Sequence, residues 1–178
     1  MIIFTTSRHP TQRLRSFIRE FSQVVNNSLM LTRGKANLRD LDDTSTEFKA
    51  DKLVIASRWH GGPGRLEFKK LSNRRLRSIP PLIYLLSVRL KREHGIRGRF
   101  SIECITTEED RRLSRLAFAL SEFLELPTES MTDNRHRVSL HLQRRNSDRI
   151  NVAVTDLKSK KEVGPSFMIR HLVWETET

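Results

Sequence analysis

The sequence predicts a mixed α/β (α+β) fold built from two similar halves, and three observations carry that prediction. Two segments place apolar residues at i, i+3, i+4, i+7, i+10 and i+11: Leu14, Phe17, Ile18, Phe21, Val24 and Val25, then Leu113, Leu116, Ala117, Leu120, Phe123 and Leu124. That spacing lays one apolar stripe along a helix. Each stripe follows a β-rich run ending in Thr-Thr (Thr5-Thr6 and Thr106-Thr107) and opens on Arg-Leu (Arg13-Leu14 and Arg112-Leu113). Alternating or continuously apolar stretches then follow each helix, as strands require. The recurrence near 100 residues is too long for a solenoid. It predicts an internal duplication, with an N-terminal half of about 1–97 and a C-terminal half of about 98–178, each a mixed sheet with packed helices.

Element by element, residues 1–6 read as a short buried strand, and a helix follows from about Pro10, a residue suited to a first turn. Asn26-Asn27 closes it. A short strand over 28–32 leads through Arg33-Gly34-Lys35 to a small helix around 37–46. Residues 50–59 form a strand on the strength of Leu53-Val54-Ile55, and 60–64, His-Gly-Gly-Pro-Gly, turn it into 65–71 as a hairpin. Residues 81–90 fit a helix or a strand by periodicity; Pro80-Pro81 and the β-rich middle favour a strand. In the second half, 98–105 reads as a strand, the helix follows, and 137–145, 150–157 and 166–174 read as antiparallel strands with turns at Asn146-Ser147 and Gly164-Pro165. The acidic tail after Trp174 is expected to fray.

The 178 residues carry a net charge of +12, and its distribution is lopsided. Residues 1–98 hold 20 Lys and Arg against 8 Asp and Glu, whereas 99–178 hold 13 of each, so the first half owns the whole excess. One-sided basic charge is the footprint of a polyanion binder. Arg outnumbers Lys 24 to 9, and the guanidinium fork suits phosphates and base stacking, which favours RNA over a membrane surface. No apolar run is long enough to cross a bilayer, and no secretory signal is visible. The single cysteine, Cys104, excludes an internal disulfide or Cys-based zinc site, fits a reducing compartment, and reads as core packing.

The two strand-to-helix junctions serve as each other's control. The second, Thr-Thr-Glu-Glu-Asp-Arg-Arg from Thr106, offers a Thr107–Asp110 capping box and acids that suit a positive helix end. The first, from Thr5, has Arg8, His9, Arg13 and Arg15 and no carboxylate. Cations there disfavour the helix by about 0.3–1 kcal/mol each, and a bound phosphate would relieve that cost. Against this stands a simple solvated basic surface. Motifs for catalysis are missing: no phosphate-binding loop, dinucleotide fingerprint or nucleophile elbow is present, and the six histidines lack metal-ligand spacing. His141 reads as a strand-surface residue. Asp40, Asp42 and Asp43 read as a solvated helix face rather than a magnesium site. No catalytic residue, metal or cofactor is expected.

The blocks 5–17, 31–41, 50–71 and 162–175 appear in an order that resembles the Brix-domain family of ribosome-biogenesis proteins, in its archaeal form. The resemblance spans nearly the whole chain, as a single Brix domain over 1–178. It implies halves like the anticodon-binding domain of class IIa aminoacyl-tRNA synthetases, and binding of pre-ribosomal RNA without catalysis. Its eukaryotic counterpart in the small-subunit processome implies a guide RNA and ribosome-assembly proteins as further partners. An archaeal form implies the cytoplasm. By position, Ser7, Arg8, Arg13 and Arg15 match the first motif, and Arg33 and Lys35 the second. Arg58, His60 and Arg65 on the hairpin, Arg74, Arg75 and Arg77 beyond it, and Arg89 and Arg92 complete the expected RNA-binding set. Trp59 or His60 would stack on a base or, for Trp59, fill the core. No membrane and no small-molecule substrate are expected. The rival readings are a tRNA-binding or synthetase-accessory module on an anticodon-binding-like fold, a small nuclease using the Asp40 cluster, and a protein-interaction scaffold.

Overall fold

The structure is a computed structural model, and it describes residues 1–60, 62–130, 136–146 and 148–175. The N-terminal half runs β1 (Ile2–Thr6), α1 (Gln12–Val24), β2 (Ser28–Met30), α2 (Leu38–Glu47), β3 (Lys52–Trp59), β4 (Gly62–Ser72) and β5 (Arg75–Arg89). After a 3-10 turn at Lys91–His94, the C-terminal half runs β6 (Cys104–Thr107), α3 (Arg111–Leu124), β7 (Thr128–Glu129), β8 (Val138–Asn146), β9 (Arg149–Asp156) and β10 (Lys161–Val173). The strands do not make two separate sheets. They join in one ten-stranded sheet of order β2-β1-β3-β4-β5-β10-β9-β8-β6-β7.

That order is palindromic in topology. In the first half β1 pairs parallel with β2 and β3, and β3, β4 and β5 follow antiparallel. In the second half β6 pairs parallel with β7 and β8, and β8, β9 and β10 follow antiparallel. The two last strands, β5 and β10, pair antiparallel with each other and weld the halves at the centre.

Both long helices cover one face and cross the weld. From α1, Phe17 and Phe21 pack on Phe167 of β10, at 5.8 and 6.0 Å between ring centroids. From α3, Phe123 packs edge-on against Phe68 of β4 at 4.9 Å. Each half therefore completes the other's core, and the continuous cluster runs from Ile2 to Ile169. The opposite face is covered differently. There α2 lays Leu41 on Ile3, Leu53 and Ile55 in a small second cluster confined to the first half. No helix among the described residues is long and apolar enough to cross a membrane.

Several boundaries move. Pro10 lies before the helix, because Thr11 is the N-cap and its hydroxyl accepts from the Leu14 N–H at 3.1 Å. Only Cys104 and Ile105 of the expected 98–105 strand belong to β6, which runs on to Thr107; residues 98–103 lie outside any strand. Of residues 81–90, 81–89 are strand, the end of the 15-residue β5, and Leu90 caps the 3-10 turn that follows. Gly164-Pro165 is not a turn; it lies inside β10, at a register shift where a Cβ on Gly164 would sit 2.8 Å from Val154 Cβ. The reversal falls instead at 157–160. Of the turn at Asn146-Ser147, Ser147 lies outside the described residues, as does the end of the acidic tail. Cys104 is fully buried, as core packing requires. The two-residue β7 is too short to show a period.

Candidate nucleic-acid interface

Because β1, β2 and β3 run parallel, their C-terminal ends emerge at one edge of the sheet. The chain leaves β1 into Ser7-Arg8-His9 and β2 into the loop holding Arg33 and Lys35, and β3 ends on Arg58-Trp59 before His60. The Ser7 N–H donates to Ala56 O at 2.8 Å, the Leu31 N–H to Phe4 O at 2.8 Å, and Thr5 Oγ1 to Leu31 O at 2.8 Å, which pins the three exits together. The Arg33 loop is tied to itself: the Ala36 N–H donates to Arg33 O, and Arg33 Nε to Ala36 O, both at 3.0 Å. Gly64 makes the hairpin possible here. It has φ +117°, and a Cβ would come 1.8 Å from Ser57 O.

Arg8, Arg15, Lys35 and Arg58 are exposed at this edge, and Arg33 is half-buried. The Arg33 guanidinium is held below its ordinary basicity by burial first and by Arg8 second, while Glu67 acts in the other direction. Like charge is therefore gathered here, and no described carboxylate forms an ion pair with any of these five cations.

The equivalent junction of the second half is closed. Asp110 is the N-cap of α3 and accepts from the Arg112 N–H at 2.7 Å and the Leu113 N–H at 3.3 Å. Its other oxygen takes Arg144 Nη1 at 2.8 Å. These hydrogen bonds, the Arg112 N–H first, hold the Asp110 carboxyl below the usual carboxylate range despite its desolvation. The expected Thr107–Asp110 box is thus replaced by Asp110 alone, and Thr107 Oγ1 bonds Glu108 O instead. At α1 the first turn contains no acid.

Arg13 stands apart from its neighbours. Its Nη1 and Nη2 donate to the two Glu93 oxygens at 2.8 Å each, and its Nε and Nη2 donate to Val88 O at 3.2 and 2.7 Å. The guanidinium fork is engaged by the fold's own acceptors and ties α1 to the end of β5. The Glu93 carboxyl is correspondingly lowered, by Arg13 first and then by the Leu90 N–H.

The remaining expected residues divide by strand direction. Arg65 pairs with Ser57 and Tyr84 near the same edge. Arg74, Arg75 and Arg77 surround the β4–β5 reversal, where Ser72 pairs with Arg75, at the opposite end of the sheet. Arg89 lies 3.8 Å from Glu162, and Arg92 lies in the 3-10 turn. Asp40 closes a capping box with Asn37, and Asp42 accepts from the Leu76 N–H at 2.9 Å, so two of the three clustered aspartates have structural partners. Among the described residues no three His, Cys, Asp or Glu side chains could hold a metal. His141 is half-buried, with Nδ1 3.1 Å from Thr106 Oγ1, and burial lowers its basicity.

Sequence reasoning missed Tyr84 and His171. They stack at 4.2 Å between centroids with 18° between planes, and Tyr84 meets Trp59 edge-on at 5.0 Å. Neither Trp59 alternative describes it fully: the ring is half-buried between Tyr84, His60 and the Arg65 guanidinium. Nothing in the local sequence marks residues 25 or more apart as one row.

No family model matches the sequence. Curated relatives do. A probable Brix domain-containing ribosomal biogenesis protein of Pyrococcus horikoshii is 37% identical over 133 residues, 72% of this chain and 58% of that protein. The protein of the same name from Sulfurisphaera tokodaii is 30% identical over 122 residues, 67% of this chain and 66% of its own length. The chain belongs to the Brix-domain family. The Brix match spans just under three-fifths of the Pyrococcus relative's length. The crystal structure of a probable ribosomal biogenesis protein from Aeropyrum pernix K1 has the same fold, with a TM-score of 0.77 at 21% identity over 99% of this chain and 97% of that one. An archaeal Imp4-like protein follows at 0.66 and 18% identity, covering 98% of this Brix chain and all of the other.

Proposed function

We infer that this Brix-domain protein is a non-catalytic RNA-binding factor of ribosome biogenesis. One observation carries the reading: five cations with no carboxylate ion pair among the described residues converge where three parallel strands and an acid-free helix start meet, while the matching junction of the second half is closed by Asp110. The helix dipole, the first-turn N–H groups other than the Leu14 N–H that Thr11 caps, and arginine forks suit a phosphate chain at the first junction. Arg8, Arg15, Arg33, Lys35 and Arg58 hold backbone phosphates of pre-ribosomal RNA. Arg74, Arg75 and Arg77 form a second basic patch at the far end, for another RNA segment such as a guide RNA, or for assembly proteins. Arg13 positions α1 rather than gripping phosphate, because its donors are spent on Glu93 and Val88. Contacts of this kind place the RNA without reading its sequence. The curated archaeal relatives are named as ribosomal biogenesis proteins, which supports the process; we assign it to the cytoplasm.

We also read the palindromic sheet as a duplicated unit in one domain, of the anticodon-binding kind. Superposing 1–90 on 99–174 should overlay α1 on α3 with β1 on β6; any other overlay would count against descent from one unit.

The test is the salt dependence of RNA binding. With about five phosphates neutralised, log K against log salt should slope near −3.5 to −4.5. Replacing Arg8 and Arg33 together by Ala should flatten it by roughly 1.5. An unchanged slope would remove this edge from the RNA path. Preferential capture of tRNA over ribosomal RNA fragments would favour the tRNA-binding alternative.

A further inference from the structure

The face of the sheet opposite α1 and α3 carries a row of rings that crosses four strands. Trp59 is on β3, Arg65 on β4, Tyr84 on β5 and His171 on β10, and the register pairs Arg65 with Tyr84 and Tyr84 with His171. The row is in contact throughout: Arg65 Cζ lies 5.7 Å over the Trp59 ring, Trp59 meets Tyr84 at 5.0 Å, and Tyr84 stacks on His171 at 4.2 Å. Tyr84 is only 8% exposed, whereas His171, which ends the row, is exposed. A nearly parallel stack that ends on an exposed ring offers that ring's outer face to another flat group.

Three features say which group. A cavity of about 400 Å³ borders the row, lined by Arg65, Glu67, Ser78, Leu82, Tyr84 and Val173, with Glu175 beside it. It has no surplus positive charge to draw a phosphate: Glu67 is paired with Lys69 at 2.7 Å and accepts from the Ser78 hydroxyl at 2.7 Å, and Glu175 offsets Arg65. A neutral ring bearing donors fits where a phosphate does not. Arg65 makes no side-chain hydrogen bond among the described residues, and its Nε is buried without an acceptor; the guanidinium packs over Trp59 and is attracted by the Glu67 carboxylate. Trp59 itself follows Arg58 on the exit strand of the phosphate edge, so a chain lying on that edge passes directly onto the row.

We propose that Trp59, Tyr84 and His171, with Arg65, form a stacking site for a nucleobase of single-stranded RNA, continuous with the phosphate edge of β1–β3. This rests on the RNA-binding reading and adds the base as a recognised group. Aromatic stacking accepts any base, so the site confers a preference for unpaired over paired RNA rather than for sequence.

The experiment compares an oligouridylate of about twelve nucleotides with an abasic ribose-phosphate chain of equal length and charge. The full chain should bind the base-bearing oligomer roughly tenfold tighter. His171→Ala should bring that ratio close to one, and His171→Phe should restore it. Because His171 is exposed, circular dichroism should report folded protein for both variants. Equal binding of both oligomers by the wild type, or a ratio untouched by His171→Ala, would overturn the stacking site while leaving the phosphate edge standing. Failure to bind either oligomer would overturn the RNA reading and the stacking site with it.

Discussion

Arg13→Ala separates a clamp from a phosphate ligand. In the fold, Arg13 gives two donors to Val88 O and two to Glu93. Val88 is 3% exposed, so its carbonyl has little access to replacement water once the guanidinium is gone. A charge-assisted bond to a partly buried carbonyl is worth about 1.5–3 kcal/mol. The Glu93 pair lies at the surface and adds nothing to that sum. In a chain of this size each kcal/mol moves the melting temperature by about 2–4 °C, so the loss should be about 3–12 °C. Arg13→Lys should recover only part of it, because one ammonium cannot bridge the Glu93 carboxylate and Val88 O as a planar fork does. The assay is thermal melting by circular dichroism, paired with the salt slope of RNA binding. Melting should fall while the slope stays at its wild-type value. Wild-type melting with a slope flattened by about 0.7–0.9 would refute the argument, since that is what losing one phosphate contact produces.

Three further expectations follow from the geometry. Gly64→Ala drives a Cβ into Ser57 O and demands φ +117° of an L residue, so it should cost at least about 2–3 kcal/mol in urea denaturation; a neutral result would contradict the hairpin described. Phe17→Ala removes a fully buried ring that joins α1 to β10 and should cost about 3–5 kcal/mol, with both halves unfolding in one transition; separate transitions would contradict the shared core. The pH dependence has a definite sign. Burial holds His94 and His141 below the ordinary histidine value, so below about pH 6.5 the unfolded chain binds more protons than the folded one and stability falls as pH falls. Melting temperature should therefore drop between pH 7.5 and 5.5, less steeply in His141→Gln; a rise on acidification would reverse the assignment.

How much was legible in the sequence depends on the range of the interaction. The stripes of α1 and α3, the β3–β4 hairpin and the buried Cys104 follow from residues close in the chain, and periodicity reports them. The repeated junctions were visible for the same reason, since each is a run of under a dozen residues. The limits of β6 and the place of Gly164-Pro165 were not, because a strand ends where its partner ends, and the partner is remote. Arg13 is the sharpest case. In the sequence it is one cation among four at a helix start; Glu93, which claims it, lies 80 residues away.

By itself, then, the sequence determined two strand–helix units, an excess of positive charge in the first, and a first junction without the acids of the second. Only the tertiary structure decided that the halves share one sheet through β5 and β10, that parallel exits gather Arg8, Arg33 and Arg58 at one edge while Arg74–Arg77 face away, and that Trp59, Tyr84 and His171 touch. The physical reason is that charge and local periodicity are properties of the chain, whereas a shared edge or a stacked row exists only once strand direction and register are set.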